Sequence, residues 1–210
     1  LAEDRLLSEG EYLNSAYKVQ DYHFEWHVEQ KHLEGYLFPE TYKVVPKQFS
    51  SRYFIQKQID TFAKRFFNPY RDEIKQHTLS LNEIVILASM VEREERNEAN
   101  RPLVAGVMLK RLKQKVPLGI DATSRYSLEN WKDEKQFLLA LRNPDDPYNT
   151  RLRKGLPPTP ICSPNISSLL AVLTPRESTF WYYLHDDNGN IHFAKSAEEH
   201  EANRRKYHVY

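Results

Sequence analysis

Among its 210 residues the chain holds a single cysteine, Cys162. One thiol cannot close an intramolecular disulfide, nor can it furnish a Cys-rich zinc site. Glycine is scarce as well, with six in all. Neither G-x-G-x-x-G nor G-x-x-x-x-G-K occurs, which excludes the phosphate-cradling loops of dinucleotide and nucleotide-triphosphate folds. No G-x-S-x-G elbow is present, and no His lies near Cys162 in sequence to activate it. Charge of one sign is also missing: 30 Lys+Arg against 29 Asp+Glu leave +1. That balance supplies no concentrated positive field, so no nucleic-acid partner is expected. The longest strongly apolar run, Ile84–Val91, falls far short of the roughly 20 residues that cross a bilayer. No basic and then apolar leader opens the chain, which starts at Leu1. A fragment, trimmed of any signal or anchor, is the expectation.

What is present is enough for a core. Forty per cent of the residues are hydrophobic and 12% aromatic, and a chain of this length buries about 70% of its unfolded surface. We expect one α+β domain over residues 1–210, without repeats or a flexible linker. Residues 10–32 hint at short helices, one around Leu13–Val19 and one over Asp21–His32. Leu33–Val45 reads as a packed, irregular loop, and Ser50–Asn68 as a helix ended by Pro69. The strongest helix signal runs from Ser80 to Arg96. Ser80 and Glu83 form an S-x-x-E capping box, and the apolar residues that follow cover every side, the mark of a buried helix. A second helix is expected from Pro102 to about Lys115, halted by Pro117. Gly119–Tyr126 looks like a loop, and Pro144–Pro164 carries six prolines. Ser167–Leu173 reads as a short helix. Phe180–His185 and Ile191–Ala194 flank an Asp-Asn-Gly turn as a hairpin. Ala197–Tyr207 closes as a helix.

Three constellations could carry chemistry. His23, His27 and His32 lack metal-site spacing, and we expect no metal or other cofactor. Glu92 follows directly on the buried helical stretch, one turn beyond the small residues Ala88 and Ser89. Desolvation there would raise its carboxyl toward neutrality, as a general acid for glycosidic cleavage requires. Glu94 and Glu95 then read as a solvated cap paired with Arg93 and Arg96, and the alternative is that all three glutamates are surface charges. Asp121, Thr123 and Tyr126 in one loop, with Tyr148, Asn149 and Thr150 in another, combine polar groups and aromatics as a sugar cleft does. Their alternative role is local turn chemistry.

These segments resemble a known family, the YceG-like endolytic murein transglycosylases. LEGYLFPETY (33–42) is similar to the family's LEGYLFPDTY, LASMVERE (87–94) to LASIVEKE, and VAGVMLKRL (104–112) to VASVFxNRL. Asp121–Tyr126 resembles DPTVxY, YNTRLRKGLPPTPI (148–161) resembles YNTYxxxGLPPGPI, and HFAKSAEEH (192–200) resembles HxFSxTxxEH. The chain departs from the pattern at Glu40, Ala122, Arg151 and Thr159.

The resemblance implies a lysozyme-like helical core with a buried catalytic helix and a small antiparallel C-terminal hairpin. It implies cleavage between N-acetylmuramic acid and N-acetylglucosamine inside peptidoglycan strands, with 1,6-anhydro ends as product. It places the catalytic glutamate at Glu92; an acid at Glu94 would put the motif two residues out of register. The other six cleft residues become candidate substrate contacts. Residues 1–32 would connect to an upstream LysM-like module and a membrane anchor, with the catalytic part outside the cytoplasm near the wall-synthesis machinery. A hydrolytic muramidase using Asp121, and a non-catalytic wall-binding scaffold, are the alternatives.

Overall fold

The structure is a computed structural model and describes residue 8, residues 10–46 and residues 49–208. Its centre is a helix at Leu81–Glu94, here α4. Ser80 Oγ accepts the Glu83 N–H while the Glu83 carboxylate accepts the Ser80 N–H, so the capping box forms as its spacing predicts. Residues 84–91 are all buried, and the helix therefore runs through the core.

Two helices pack on it, α5 (Arg101–Lys113) and α8 (Ile166–Leu173). A Cβ on Gly106 of α5 would overlap the Arg176 carbonyl, and the Arg176 N–H donates to the Pro102 carbonyl at 2.8 Å. The absent side chain lets the chain leaving α8 lie directly on α5.

N-terminal to this centre come α1 (Glu11–Ala16), α2 (Ser51–Phe62), a π-helical turn at Ala63–Phe67, and α3 (Arg71–Gln76). Phe62 and Phe66 are fully buried, and the Phe62 ring packs on Trp26 and Tyr36. The LEGYLFPETY segment is the irregular, packed loop expected of it, burying Leu33, Tyr36 and Phe38. Gly35 has φ +94°, and a Cβ there would strike Pro160 and Val85. This close approach brings the loop against the proline-rich segment.

C-terminal to α5 lie two short helices, α6 (Asp121–Tyr126) and α7 (Glu134–Ala140). After α8, strands β1 (Tyr182–His185) and β2 (Ile191–Ala194) pair antiparallel, with Tyr182 opposite Ala194 and His185 opposite Ile191. Helix α9 (Ala197–Lys206) covers the hairpin. The fold is α+β, a helical core with one small antiparallel element.

Several sequence expectations are corrected. Residues 21–32 form no α-helix: a 3₁₀ turn at Val19–Asp21 is followed by irregular chain, held by rings such as Phe24 on Trp26. Gly119–Tyr126 is helical from Asp121 onward. Helices α3 and α7 gave no periodic signal because each buries only one residue, Ile74 or Phe137. Residues 1–7 and 9 of the expected connecting segment lie outside the described residues.

Candidate active site at the end of the buried helix

Successive residues of an α-helix are turned by about 100°, so Glu92 and Glu94 look in directions about 200° apart. Glu92 looks toward α8. Its carboxylate accepts Ser168 Oγ at 2.8 Å, the Asn165 N–H at 3.1 Å, Asn165 Nδ2 at 3.3 Å and Arg101 Nη2 at 3.3 Å. Asn165 is the N-cap of α8, so this negative group also meets the positive end of a helix dipole. Arg101 is buried and ties the same corner together through the Glu95 carbonyl and Asn165 Oδ1. Four donors converge on Glu92 from three places in the chain.

Glu94 looks the other way, toward β1 and α6. Tyr183 Oη donates to its Oε2 at 3.1 Å. Burial pushes the Glu94 carboxyl up to about 7, and the charge of Asp121 works in the same direction. The Tyr183 hydrogen bond and the positive charges of Arg151 and Arg93 oppose that rise without cancelling it. Burial likewise holds the Tyr183 hydroxyl well above its usual range, so it stays a donor. Asp121 itself is paired with Arg151, Nε to Oδ1 at 2.7 Å. A carboxyl that holds a proton near neutrality, oriented by one hydroxyl and faced by an ion pair, is equipped to protonate a leaving oxygen.

The solvated-cap reading of Glu94 and Glu95 is thus overturned. Glu94 is half-buried. Glu95 is buried and accepts the Asn97 N–H at 2.7 Å and lies 3.3 Å from His185 Nε2. Residues 183 and 185 share one face of β1, and they fasten the hairpin to consecutive glutamates.

The other predicted residues divide into two groups. Thr123, Asn149 and Thr150 are buried, with their polar atoms committed internally. Asn149 Nδ2 donates to the carbonyls of Ala140, Leu141 and Asn143, and its Oδ1 accepts the N–H groups of Arg151 and Leu152. Thr150 Oγ1 accepts the Ile120 N–H at 3.0 Å and meets Thr123 Oγ1 at 3.0 Å. These three are therefore corrected from substrate contacts to turn chemistry that fixes α6 against the following loop. Asp121, Tyr126 and Tyr148 keep groups at the surface. The Tyr126 and Tyr148 rings lie 4.9 Å apart. Tyr126 Oη donates to Glu34 at 2.5 Å, and Tyr148 Oη meets Thr159 Oγ1 at 2.7 Å. Asp121 opens the helix that Tyr126 closes, so both tyrosines sit on the flank that leads to Glu94.

Cys162 is not a nucleophile in this arrangement. Burial pushes its thiol up to about 12, and its Sγ donates to the Ser89 carbonyl. Among the described residues no three His, Cys, Asp or Glu are grouped to hold a metal ion. No helix among them is long and apolar enough to cross a membrane.

The sequence reading took Glu94 for a cap and Arg151 only for a departure from the family pattern, and it passed over Tyr183 and Glu34. One signal was available: in E-x-E on a helix the two carboxylates must face different neighbours.

A profile of the YceG-like family matches residues 4–206. The chain belongs to the YceG-like family. It is 35% identical over 175 residues to the endolytic murein transglycosylase of Bacillus subtilis (strain 168), covering 83% of this chain and 48% of that protein. It is 31% identical to the endolytic murein transglycosylase of Streptococcus pneumoniae serotype 2 (strain D39), over 81% of this chain and 31% of that protein. The chain thus spans about half or less of these curated relatives. A crystal structure of a YceG-like protein from Listeria monocytogenes superposes with a TM-score of 0.76 at 29% identity, covering 95% of this chain and 66% of that one.

Proposed function

We propose that this YceG-like domain is an endolytic murein transglycosylase, cleaving the bond between N-acetylmuramic acid and N-acetylglucosamine within peptidoglycan strands. Glu94 is the acid and then the base. The observation that carries the proposal is the half-buried Glu94 carboxyl, raised to about 7 and held by Tyr183. Protonated, it gives its proton to the departing glycosidic oxygen. As carboxylate, it accepts the proton of the muramic C6 hydroxyl as that oxygen bonds to C1 and closes the 1,6-anhydro ring. The glutamate ends as it began and no water is consumed. A tethered hydroxyl carries its own proximity advantage, so no second carboxylate nucleophile is needed. The Asp121–Arg151 pair supports this reading, because a carboxylate already bound to a guanidinium at 2.7 Å is poorly placed to attack C1 or to hold a water. The names of the relatives support the same reaction and substrate. The domain then works where murein is, outside the cytoplasm.

Digestion of purified peptidoglycan followed by mass spectrometry tests this. Anhydro ends, lighter by one water than hydrolysed ends, are expected from the wild type and none from Glu94→Gln. Hydrolysed ends would establish a muramidase, and glycan binding without turnover would establish a scaffold.

A further inference from the structure

Two side chains of the hairpin reach the end of α4, and the proposed chemistry uses one of them. Tyr183 serves Glu94. His185 meets Glu95, a carboxylate that is 2% exposed and that no step of the reaction needs. Glu95 is held from its own side of the contact. It is the C-cap of α4. Its carboxylate accepts the Asn97 N–H at 2.7 Å and Asn100 Nδ2 at 3.4 Å, and its carbonyl accepts Arg101 Nε at 2.9 Å. These partners all belong to the turn into α5, so the carboxylate is a fixed acceptor. The donor it takes from the hairpin is His185 Nε2 at 3.3 Å. A carboxylate only accepts, so this bond keeps a proton on Nε2 and sets the plane of the imidazole.

His185 in turn braces Tyr183. The two rings stand edge to face, with centroids 6.1 Å apart and planes at 77°. Glu94 and Glu95 are neighbours on α4 and its cap, while Tyr183 and His185 share one face of β1, and the four side chains close a clamp. The other end of the strand is tied to α5. Lys110 Nζ donates to the carbonyls of Ser178 and Phe180, and the Arg111 guanidinium lies over the Tyr182 ring. Tyr183 is thus held between two anchors. It needs both, because a two-stranded hairpin is marginally stable alone, and a hydrogen bond of 3.1 Å is lost once its partners part by about another 0.5 Å.

We propose that His185, held by the buried Glu95, is a positioning residue for the reaction: it fixes the Tyr183 ring and so keeps the Tyr183 hydroxyl on Glu94. An apolar pair would hold the hairpin down without orienting it. The assignment rests on the reading of Glu94 as the acid.

Three variants of the 210-residue chain test it, assayed on uncrosslinked peptidoglycan strands. His185→Phe keeps a ring against Tyr183 but has no donor, and His185→Asn has a donor one bond too short to reach Glu95. His185→Gln places an amide nitrogen near the position of Nε2. His185 is 28% exposed, so all three are expected to fold, and Phe and Asn break the bond in opposite ways should one of them fail. In both, kcat should fall about tenfold or more with KM within about twofold, since misplacement by about 1 Å can cost about 10²-fold. His185→Gln should retain most of the activity. The alkaline limb of kcat/KM, and the Glu94 carboxyl titration followed by ¹³C NMR, should move to higher pH in the Phe and Asn variants, as in Tyr183→Phe. On a Tyr183→Phe background neither should cost anything further. Wild-type kcat and pH profile in folded His185→Phe and His185→Asn would overturn the proposal, as would losses that add in full to that of Tyr183→Phe. A raised KM with kcat intact would make His185 a substrate contact and overturn it too. If instead the Glu94 titration moves while Glu94→Gln stays active, the positioning stands and the reading of Glu94 as the acid falls.

Discussion

Replacing each of the two glutamates of the VERE motif by glutamine separates chemistry from scaffolding, because the swap changes charge and donor pattern but hardly changes shape. For Glu94→Gln the loss of the transferable proton should reduce turnover by about 10²–10⁴-fold or more. Stability should move in the opposite direction. The Glu94 carboxyl lies at about 7 in the fold against 4.5 for an unperturbed glutamate. Between those values the folded chain binds more protons than the unfolded chain, so stability falls as pH rises through that window and stays lower above it. At about 1.4 kcal/mol per pH unit the penalty is at most roughly 3–4 kcal/mol, and partial exposure reduces it to on the order of 1–2 kcal/mol. Glutamine carries no such penalty and can still accept from Tyr183. Glu94→Gln should therefore melt about 2–6 °C higher than wild type at pH 8 and at nearly the same temperature at pH 4. Glu92→Gln should do the reverse. Its new amide N–H groups would face the donors of Asn165, Ser168 or Arg101, and a buried pair that loses its anion costs about 3 kcal/mol or more. A melting point lower by roughly 5–10 °C is expected, with turnover per folded molecule largely kept. Differential scanning calorimetry at two pH values and a peptidoglycan digestion assay read both quantities. If folded Glu92→Gln is dead while Glu94→Gln keeps more than a tenth of the wild-type rate, the assignment of the acid by geometry is refuted.

The pH profile of kcat/KM should fall as pH rises through about 7, since ionised Glu94 cannot act as the acid; a rate that is flat to pH 9 would contradict this. Tyr183→Phe removes a hydrogen bond that favours the ionised carboxylate, so that alkaline limb should move to higher pH while kcat drops and KM changes little. Asn149→Ala leaves three carbonyls and two N–H groups in its loop without partners and should cost about 2–4 kcal/mol by chemical denaturation, with activity intact in the molecules that stay folded. Gly106→Ala forces a methyl group into the Arg176 carbonyl and should destabilise by about 1–3 kcal/mol, with a lower melting temperature as the readout.

Much of the fold is legible in the sequence because local rules govern it. The Ser80–Glu83 box and the all-round apolar run specify where α4 begins and that it is buried, since both depend on residues within a turn or two of each other. The hairpin follows from Asp-Asn-Gly between two apolar runs. Short α3 and α7 were not legible, because one buried residue each makes no period. The segment at 21–32 misled for a related reason: Tyr22, Phe24 and Trp26 stand at every second position, which is no helical period, and Trp26 is held by rings from α2 and the turn after it.

The candidate site divides along the same line. Sequence alone determined that a glutamate stands at the end of the buried helix, and the six matching motifs pointed to the YceG-like family. Only the tertiary structure decided which glutamate faces which surroundings. Glu92 and Glu94 are two residues apart in one motif, and both follow the same apolar run. Their difference comes from groups far along the chain: Asn165, 73 positions from Glu92, and Tyr183, 89 positions from Glu94. The same holds for Asn149, whose amide faces backbone carbonyls rather than an open cleft only because α7 ends beside it. A carboxyl's proton affinity depends on burial and on neighbouring charges and hydrogen bonds, and for Glu94 most of these, Tyr183, Asp121 and Arg151, come from distant parts of the chain.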